Sequence, residues 1–198
     1  MIEKVVAAIR VGQPVILPTD TVYGLCADAY NEDPVRALYR LKGREELQPT
    51  ALLAADVDVL LDAVPELRGL GGKIARALLP GPYTLILPNP GKRFRWLTGT
   101  RPDTIGVRVP ELSDDARSVL EQVGAVAATS ANLPGGPDPC RLEDIPEELV
   151  AGCGAVLDAG ELPGTPSTVL DLTGPEPVVV REGAVPAAEA LGRLTAVT

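Results

Sequence analysis

The chain has 198 residues, 45% of them hydrophobic, which is enough for one sizeable core and too apolar for a disordered segment. Its formal charge is −9 and it contains no histidine, which excludes Ser-His and Cys-His nucleophile pairs, imidazole acid–base chemistry and His-ligated zinc. Cys26, Cys140 and Cys153 are odd in number and form no CxxC pair, so neither a disulfide framework nor a thiolate zinc site is indicated.

Ile2, Val5, Val6 and Ile9 share the spacing of one helical face, predicting an N-terminal helix over 2–11. The segment lacks the long apolar stretch of a leader, and no apolar run is long enough to span a membrane. The sequence therefore reads as a single cytoplasmic domain over 1–198 with no membrane partner. A buried strand over 14–18 runs into Thr19-Asp20-Thr21-Val22-Tyr23-Gly24, small donors at a strand end that suit a ligand or a simple bend.

Asp33-Pro34 starts a second helix, with Val35, Leu38 and Leu41 as its apolar stripe and Lys42-Gly43-Arg44 at its end. A strand over 50–54 follows, then helices over 57–63 and 66–79, a break at Pro80-Gly81-Pro82 and a strand over 83–87. Residues 89–103 read as a basic loop, and their composition suggests a lid. Next come a strand over 104–109, a helix begun by Ser113 and running to about Val123, and a small-residue strand over 125–129 ending in Ser130-Ala131-Asn132. Strands near 155–157, 168–172 and 178–181 and a helix from Pro186 complete the pattern. Several strands follow one another directly, which predicts an α/β fold with a mixed sheet rather than a purely parallel one.

Charge is unevenly spread. Residues 1–110 hold 14 basic and 12 acidic side chains, against 4 and 15 in residues 111–198. One basic group comprises Arg36, Arg40, Lys42 and Arg44; another comprises Lys92, Arg93, Arg95, Arg101 and Arg108. A confined basic site on an acidic protein suits a small anion better than a long nucleic acid. Lys42 and Arg44, separated by one glycine, could converge on a phosphate chain or simply complement a helix C-terminus. Arg108 and Arg181, both at strand ends, fit carboxylate or phosphate recognition, although an outward arginine on an edge strand is the plain alternative.

Taken in order, PTDTVYGL, LKGR, TIGVRVP, ATSAN, PSTVLDLTG and VVVREG, spread over residues 16–184, resemble the YrdC-type threonylcarbamoyl-AMP synthase family, in its short single-domain form. The resemblance implies a twisted mixed sheet flanked by helices around a concave basic cavity. It implies condensation of L-threonine, bicarbonate and ATP to threonylcarbamoyl-adenylate and pyrophosphate, with a separate transferase complex passing the group to tRNA. By position, Lys42 and Arg44 would be catalytic and bind phosphate, with Thr104, Ser130, Asn132 and Arg181 also on ATP. Thr21, Arg108 and Ser167 would hold threonine. Mg2+ would accompany ATP without a dedicated protein site, and contact with tRNA would be weak or indirect.

Two departures stand out: Glu45-Glu46 follow LKGR where similar proteins have a proline and a small polar residue, and Leu53 stands where longer members place a histidine. Two other readings remain open, a same-fold paralogue handling another carbamoyl-adenylate and a non-catalytic RNA-binding module. For the latter only Trp96 and Phe94 are evident as stacking residues.

Overall fold

Alternation along the central strands decides the architecture. Tyr83, Leu85 and Leu87 point to one side of their strand, as do Ile105 and Val107 of theirs, and all five are essentially buried. The intervening Thr84, Ile86, Thr104, Gly106 and Arg108 face the other side. Period-two sequences of this kind make a sheet with two unlike faces.

The computed structural model of the protein describes residues 1–45 and 47–195. Its strands are β1 (Val15–Pro18), β2 (Tyr23–Asp28), β3 (Ala51–Leu53), β4 (Tyr83–Pro88), β5 (Thr104–Arg108), β6 (Val126–Ser130), β7 (Ala155–Val156), β8 (Thr168–Asp171) and β9 (Val178–Arg181). Among the described residues they form one sheet in the order β7-β1-β2-β6-β3-β5-β4-β8-β9. The pairs β1/β7, β3/β5 and β4/β8 are parallel and the rest antiparallel, so the expected mixed sheet is present.

Helices α1 (Ile2–Arg10), α2 (Glu32–Lys42), α3 (Val57–Ala63), α4 (Leu70–Leu78), α5 (Asp114–Val123), α6 (Glu147–Ala151) and α7 (Ala187–Thr195) complete the layers. The larger core packs α2, α3 and α4 on the face carrying Leu25, Leu52, Leu85 and Val107. A smaller core sets α1 and α5 against Val15, Leu17, Cys26 and Val126 on the opposite face. Since α1 and α5 cover only part of that face, the remainder, over β3, β4, β5 and β8, stays open.

Local chemistry accounts for most boundaries. Ser113 caps α5, its Oγ accepting from the Ala116 amide at 3.4 Å, and Asp56 caps α3, accepting from the Val59 amide at 2.8 Å. Two elements differ from the sequence expectation. Only residues 19–22 form the hydroxyl-rich turn: Thr19 Oγ1 donates to the Val22 carbonyl at 2.8 Å and accepts from the Thr21 and Val22 amides at 3.3 Å each. Tyr23 then begins β2, which folds back antiparallel on β1 with Pro18 opposite Tyr23. The helix expected over 66–79 is divided into a 3-10 turn at Pro65–Arg68 and α4, because Gly69 takes a non-helical ψ of −129°. Gly72 then lets the chain close in: a Cβ there would stand 2.8 Å from the Leu67 carbonyl oxygen.

Thr168 ties β8 to the segment after β9. Its fully buried hydroxyl donates to the Val185 carbonyl at 2.6 Å and accepts from the Gly183 and Val185 amides at 3.0 and 3.1 Å. Thr168→Val keeps the shape but strands three backbone groups, so we expect it to lower stability by about 2 kcal/mol in denaturant unfolding. A loss below about 0.5 kcal/mol would show that these groups find other partners.

Candidate active site

The open part of the sheet forms a cleft of about 420 Å3. Gly24 and Gly106 line it, and a Cβ on Gly106 would meet only ordinary contacts, Ala51 Cα at 3.8 Å and Thr84 Cγ2 at 3.9 Å. The glycine there is not demanded by its neighbours; it leaves the cleft clear. Arg44, Arg101, Arg108 and Arg181 line the cleft, and Asp138 is the one carboxylate among the lining residues.

Arg108, at the end of β5, is buried against the turn between β1 and β2. Its Nη2 donates to Asp20 Oδ1 and Thr21 Oγ1, both at 2.5 Å, and the Glu111 amide donates to Asp20 Oδ2 at 3.1 Å. Burial lowers the Arg108 pKa, and Asp20 opposes that shift. Its Nε is buried without a partner. A pre-paired guanidinium with an uncommitted donor is a natural anion contact.

Ser167 lies beside it at the start of β8. Its Oγ shares a hydrogen bond with Thr84 Oγ1 at 2.9 Å and accepts from Arg181 Nη2 at 3.2 Å, while the Ser167 carbonyl accepts from the same nitrogen at 2.8 Å. Thr104 is buried on the wall, its hydroxyl donating to the Arg101 carbonyl at 3.1 Å.

Gly43 ends α2 in the left-handed region at φ 66°, with its amide on Arg40 O at 3.2 Å and the Arg44 amide on Tyr39 O at 2.9 Å. The two cations around it then part company. Arg44 swings to the cleft, where Nη2 donates to Pro49 O at 2.6 Å and Nη1 to Thr129 Oγ1 at 3.2 Å, leaving Nε buried and unpartnered.

Lys42 turns inward instead. Its Nζ donates to Ser130 O at 2.5 Å, Asn132 O at 2.7 Å and Asn132 Oδ1 at 2.8 Å, which engages all three ammonium hydrogens. Ser130 Oγ donates to Asn132 Oδ1 at 2.7 Å, and Asn132 Nδ2 to Gly136 O at 2.8 Å. Burial, with Arg44 nearby, lowers the Lys42 pKa to about 8.

The sequence-predicted residues Arg44, Thr104, Arg108, Ser130, Ser167 and Arg181 thus meet on one cleft. Thr21, Lys42 and Asn132 stand behind its lining, each bonded to a residue that lines it. Convergence of Lys42 and Arg44 on one free point is not what the structure shows: Lys42 clamps the 130–132 loop and Arg44 braces the neighbouring strand end.

Sequence reasoning missed Asp20, Thr84, Thr50 and Asp138. Thr84 had a signal, a hydroxyl in the open-face register of a strand, and Asp20 stood within the cluster of residues 19–24; Asp138 had none beyond its place in a polar turn. Glu45 is exposed and does not line the cleft, whereas Glu46 lies outside the described residues. Leu53 is part of the lining. The stretch read as a lid is anchored by fully buried Asn89, whose Nδ2 donates to Arg93 O at 2.9 Å and Pro102 O at 3.2 Å and whose Oδ1 accepts from the Arg93 amide at 3.1 Å.

Among the described residues no three metal-ligating side chains cluster, and no helix is long and apolar enough to cross a membrane. The fold and cleft define an α/β protein with an arginine-lined cleft, suited to small anions, on the uncovered face of a mixed sheet. The chain belongs to the Sua5/YciO/YrdC family, whose model, described as telomere recombination, matches residues 7–183.

It is 35% identical over 182 residues to the threonylcarbamoyl-AMP synthase of Pyrococcus abyssi, a match covering 91% of this chain and 53% of that protein. The crystal structure of P. abyssi Sua5 complexed with L-threonine superposes with a TM-score of 0.85 at 34% identity, covering 98% of this chain and 57% of that one. Escherichia coli YciO superposes with a TM-score of 0.83 at 28% identity, covering 96% and 92%. The chain therefore spans little more than half the length of the P. abyssi relative.

Two outcomes are expected at the cleft. Gly106→Val should leave the thermal midpoint within a few degrees of the parent and abolish ligand binding in the cleft by calorimetry; undiminished binding would place the ligand elsewhere. A neutral Lys42 amine would present two N–H groups and a lone pair to three oxygens, so affinity for an anionic ligand in the cleft should fall as pH rises through about 8. A flat affinity profile across that range would show that the clamp works without its charge.

Proposed function

We propose that the chain synthesises L-threonylcarbamoyl-adenylate from L-threonine, bicarbonate and ATP, releasing pyrophosphate, and supplies the product to a separate transferase that modifies tRNA. The observation that carries this is the cleft itself, four arginines and a row of hydroxyls opposed by a single carboxylate, Asp138. The names of the relatives and the threonine bound by one of them support the same reading.

The chemistry suits a site without histidine. Threonine's neutral amine condenses with bicarbonate to give a carbamate, and water is lost. A carbamate oxygen then bonds to the α-phosphorus of ATP as the bond to the bridging oxygen breaks and pyrophosphate departs. Both reactants are anions, so the protein's work is to hold them in line and offset their repulsion.

Arg108, with Thr21 behind it and Ser167 at its side, would receive the threonine end. Arg44, Ser130, Thr104 and Arg181 would face the nucleotide, with Lys42 and Asn132 fixing the loop that presents Ser130. Magnesium would enter with ATP, held by the phosphates and water without a dedicated protein site; Asp138, the one carboxylate in the lining, is the side chain that could add to its ligands. The setting for this chemistry is the cytoplasm, with tRNA engaged through the transferase.

The deciding experiment measures pyrophosphate release with L-threonine and bicarbonate omitted in turn. Dependence on both supports the proposal, and release that ignores threonine transfers the chain to a paralogue using another carbamoyl-adenylate. Arg44→Ala, with its thermal midpoint measured alongside, should cost about 10²–10³-fold in turnover, as for loss of one preorganised transition-state contact. Near-normal turnover would remove Arg44 from the site.

A further inference from the structure

A second cavity lies on the helix-covered side of the sheet. Between α3 and residues 91–96 runs an open groove of about 1020 Å3. It brings together Tyr30 and the chain's one phenylalanine and one tryptophan, Phe94 and Trp96. Phe94 meets Tyr30 edge-on at 5.6 Å between ring centres and 67°, and Trp96 at 6.3 Å and 85°. The polar ends of the outer two rings are engaged: the Ala125 amide donates to the Tyr30 hydroxyl at 3.2 Å, and Trp96 Nε1 donates to the Ala29 carbonyl at 2.9 Å. Tyr30 is nonetheless 46% exposed, so what it offers a partner is chiefly the ring.

The groove is also cationic once its ion pairs are accounted for. Glu66 holds Arg93 at 2.7 Å, and Asp62, the acidic residue in the lining, is held by Arg68 at 2.6 Å. Lys92 and Arg95 are exposed and have no ion-pair partner among the described residues. The backbone between them is unusual, with Lys92 and Phe94 both at φ 49°. Left-handed non-glycine residues persist where their surroundings overdetermine them, often at ligand clamps. Here the hydrogen bonds of Asn89 provide that restraint.

An apolar ligand would leave two cations idle, an inorganic anion would have no use for the rings, and a duplex keeps its bases stacked out of reach. A base freed from its stack, with phosphates on either side, uses both features. We propose that this groove binds a single-stranded polynucleotide, one base on the exposed Tyr30 ring, which buried Phe94 backs edge-on with Trp96 beyond it, and the adjoining phosphates on Lys92 and Arg95. The site is separate from the cleft, and the proposal does not depend on the activity assigned to that cleft.

Trp96 is the sole tryptophan, so intrinsic fluorescence of the full chain reads the groove directly. Titration with a short oligouridylate, without ATP, avoids any adenosine site. Saturable quenching is expected, with affinity falling about sevenfold between about 50 and 200 mM salt for two phosphate contacts on a single strand. Lys92→Glu with Arg95→Glu, both exposed changes, should weaken binding at least about tenfold and flatten the salt dependence. Tyr30→Leu should weaken it by about 5- to 150-fold, the range for one lost stacking contact, and Tyr30→Phe should restore it. Absence of quenching, equal affinity for an RNA duplex, equal affinity for uridine monophosphate, or an unaltered double variant would each overturn the proposal.

Discussion

A guanidinium buried at the end of a central strand is costly unless its charge is met, and in this protein the meeting of that charge organises the site. Arg108 can lie under the open face only because the turn after β1 delivers Asp20 and Thr21 to it. That requirement fixes the turn, which in turn sets where β2 begins and how it returns along β1. Breaking such a pair leaves an uncompensated buried charge, which is why these residues behave as a unit. The same logic operates at Lys42, where three loop oxygens meet an ammonium taken out of water. Both cations are held by the protein before any ligand arrives, so little reorganisation is left for the moment of binding.

Much of the architecture was legible from residue order. The break at Pro80-Gly81-Pro82 foretold the start of β4, the Ser113 cap foretold α5, and direct succession of strands foretold a mixed sheet. β2 escaped because Tyr23–Asp28 follows a hydroxyl cluster with no apolar lead-in; its strand character comes from burial between β1 and β6, a tertiary fact. The division of the 66–79 helix escaped because Gly69 and Gly72 are compatible with helix, and only packing of Leu67 against Gly72 shows why the chain turns there.

Within the site, residue types were legible but their tasks were not. Lys42-Gly43-Arg44 reads as a pair aimed at one phosphate, since spacing says nothing about rotation around a left-handed glycine. The basic stretch of residues 92–108 reads as a single patch, yet the sheet divides it: Arg101 and Arg108 reach the cleft while Lys92, Arg93 and Arg95 line the groove on the other side. Linear charge density cannot reveal such a partition, because it depends on which face of the sheet each residue meets.

That partition has a thermodynamic side. The stretch from Gly91 to Trp96 walls the groove, and Thr98, Thr100 and Arg101, a few residues on, wall the cleft, with Asn89 bonded to Arg93 within the first and to Pro102 just past the second. One segment of backbone therefore belongs to two cavities that face different ways. Any free energy that an occupant of the groove spends in stiffening or shifting this segment enters the affinity of the cleft, and linkage makes the exchange reciprocal by the same factor. Two surfaces that share no ligand thus share a wall, and through it a common balance of rigidity.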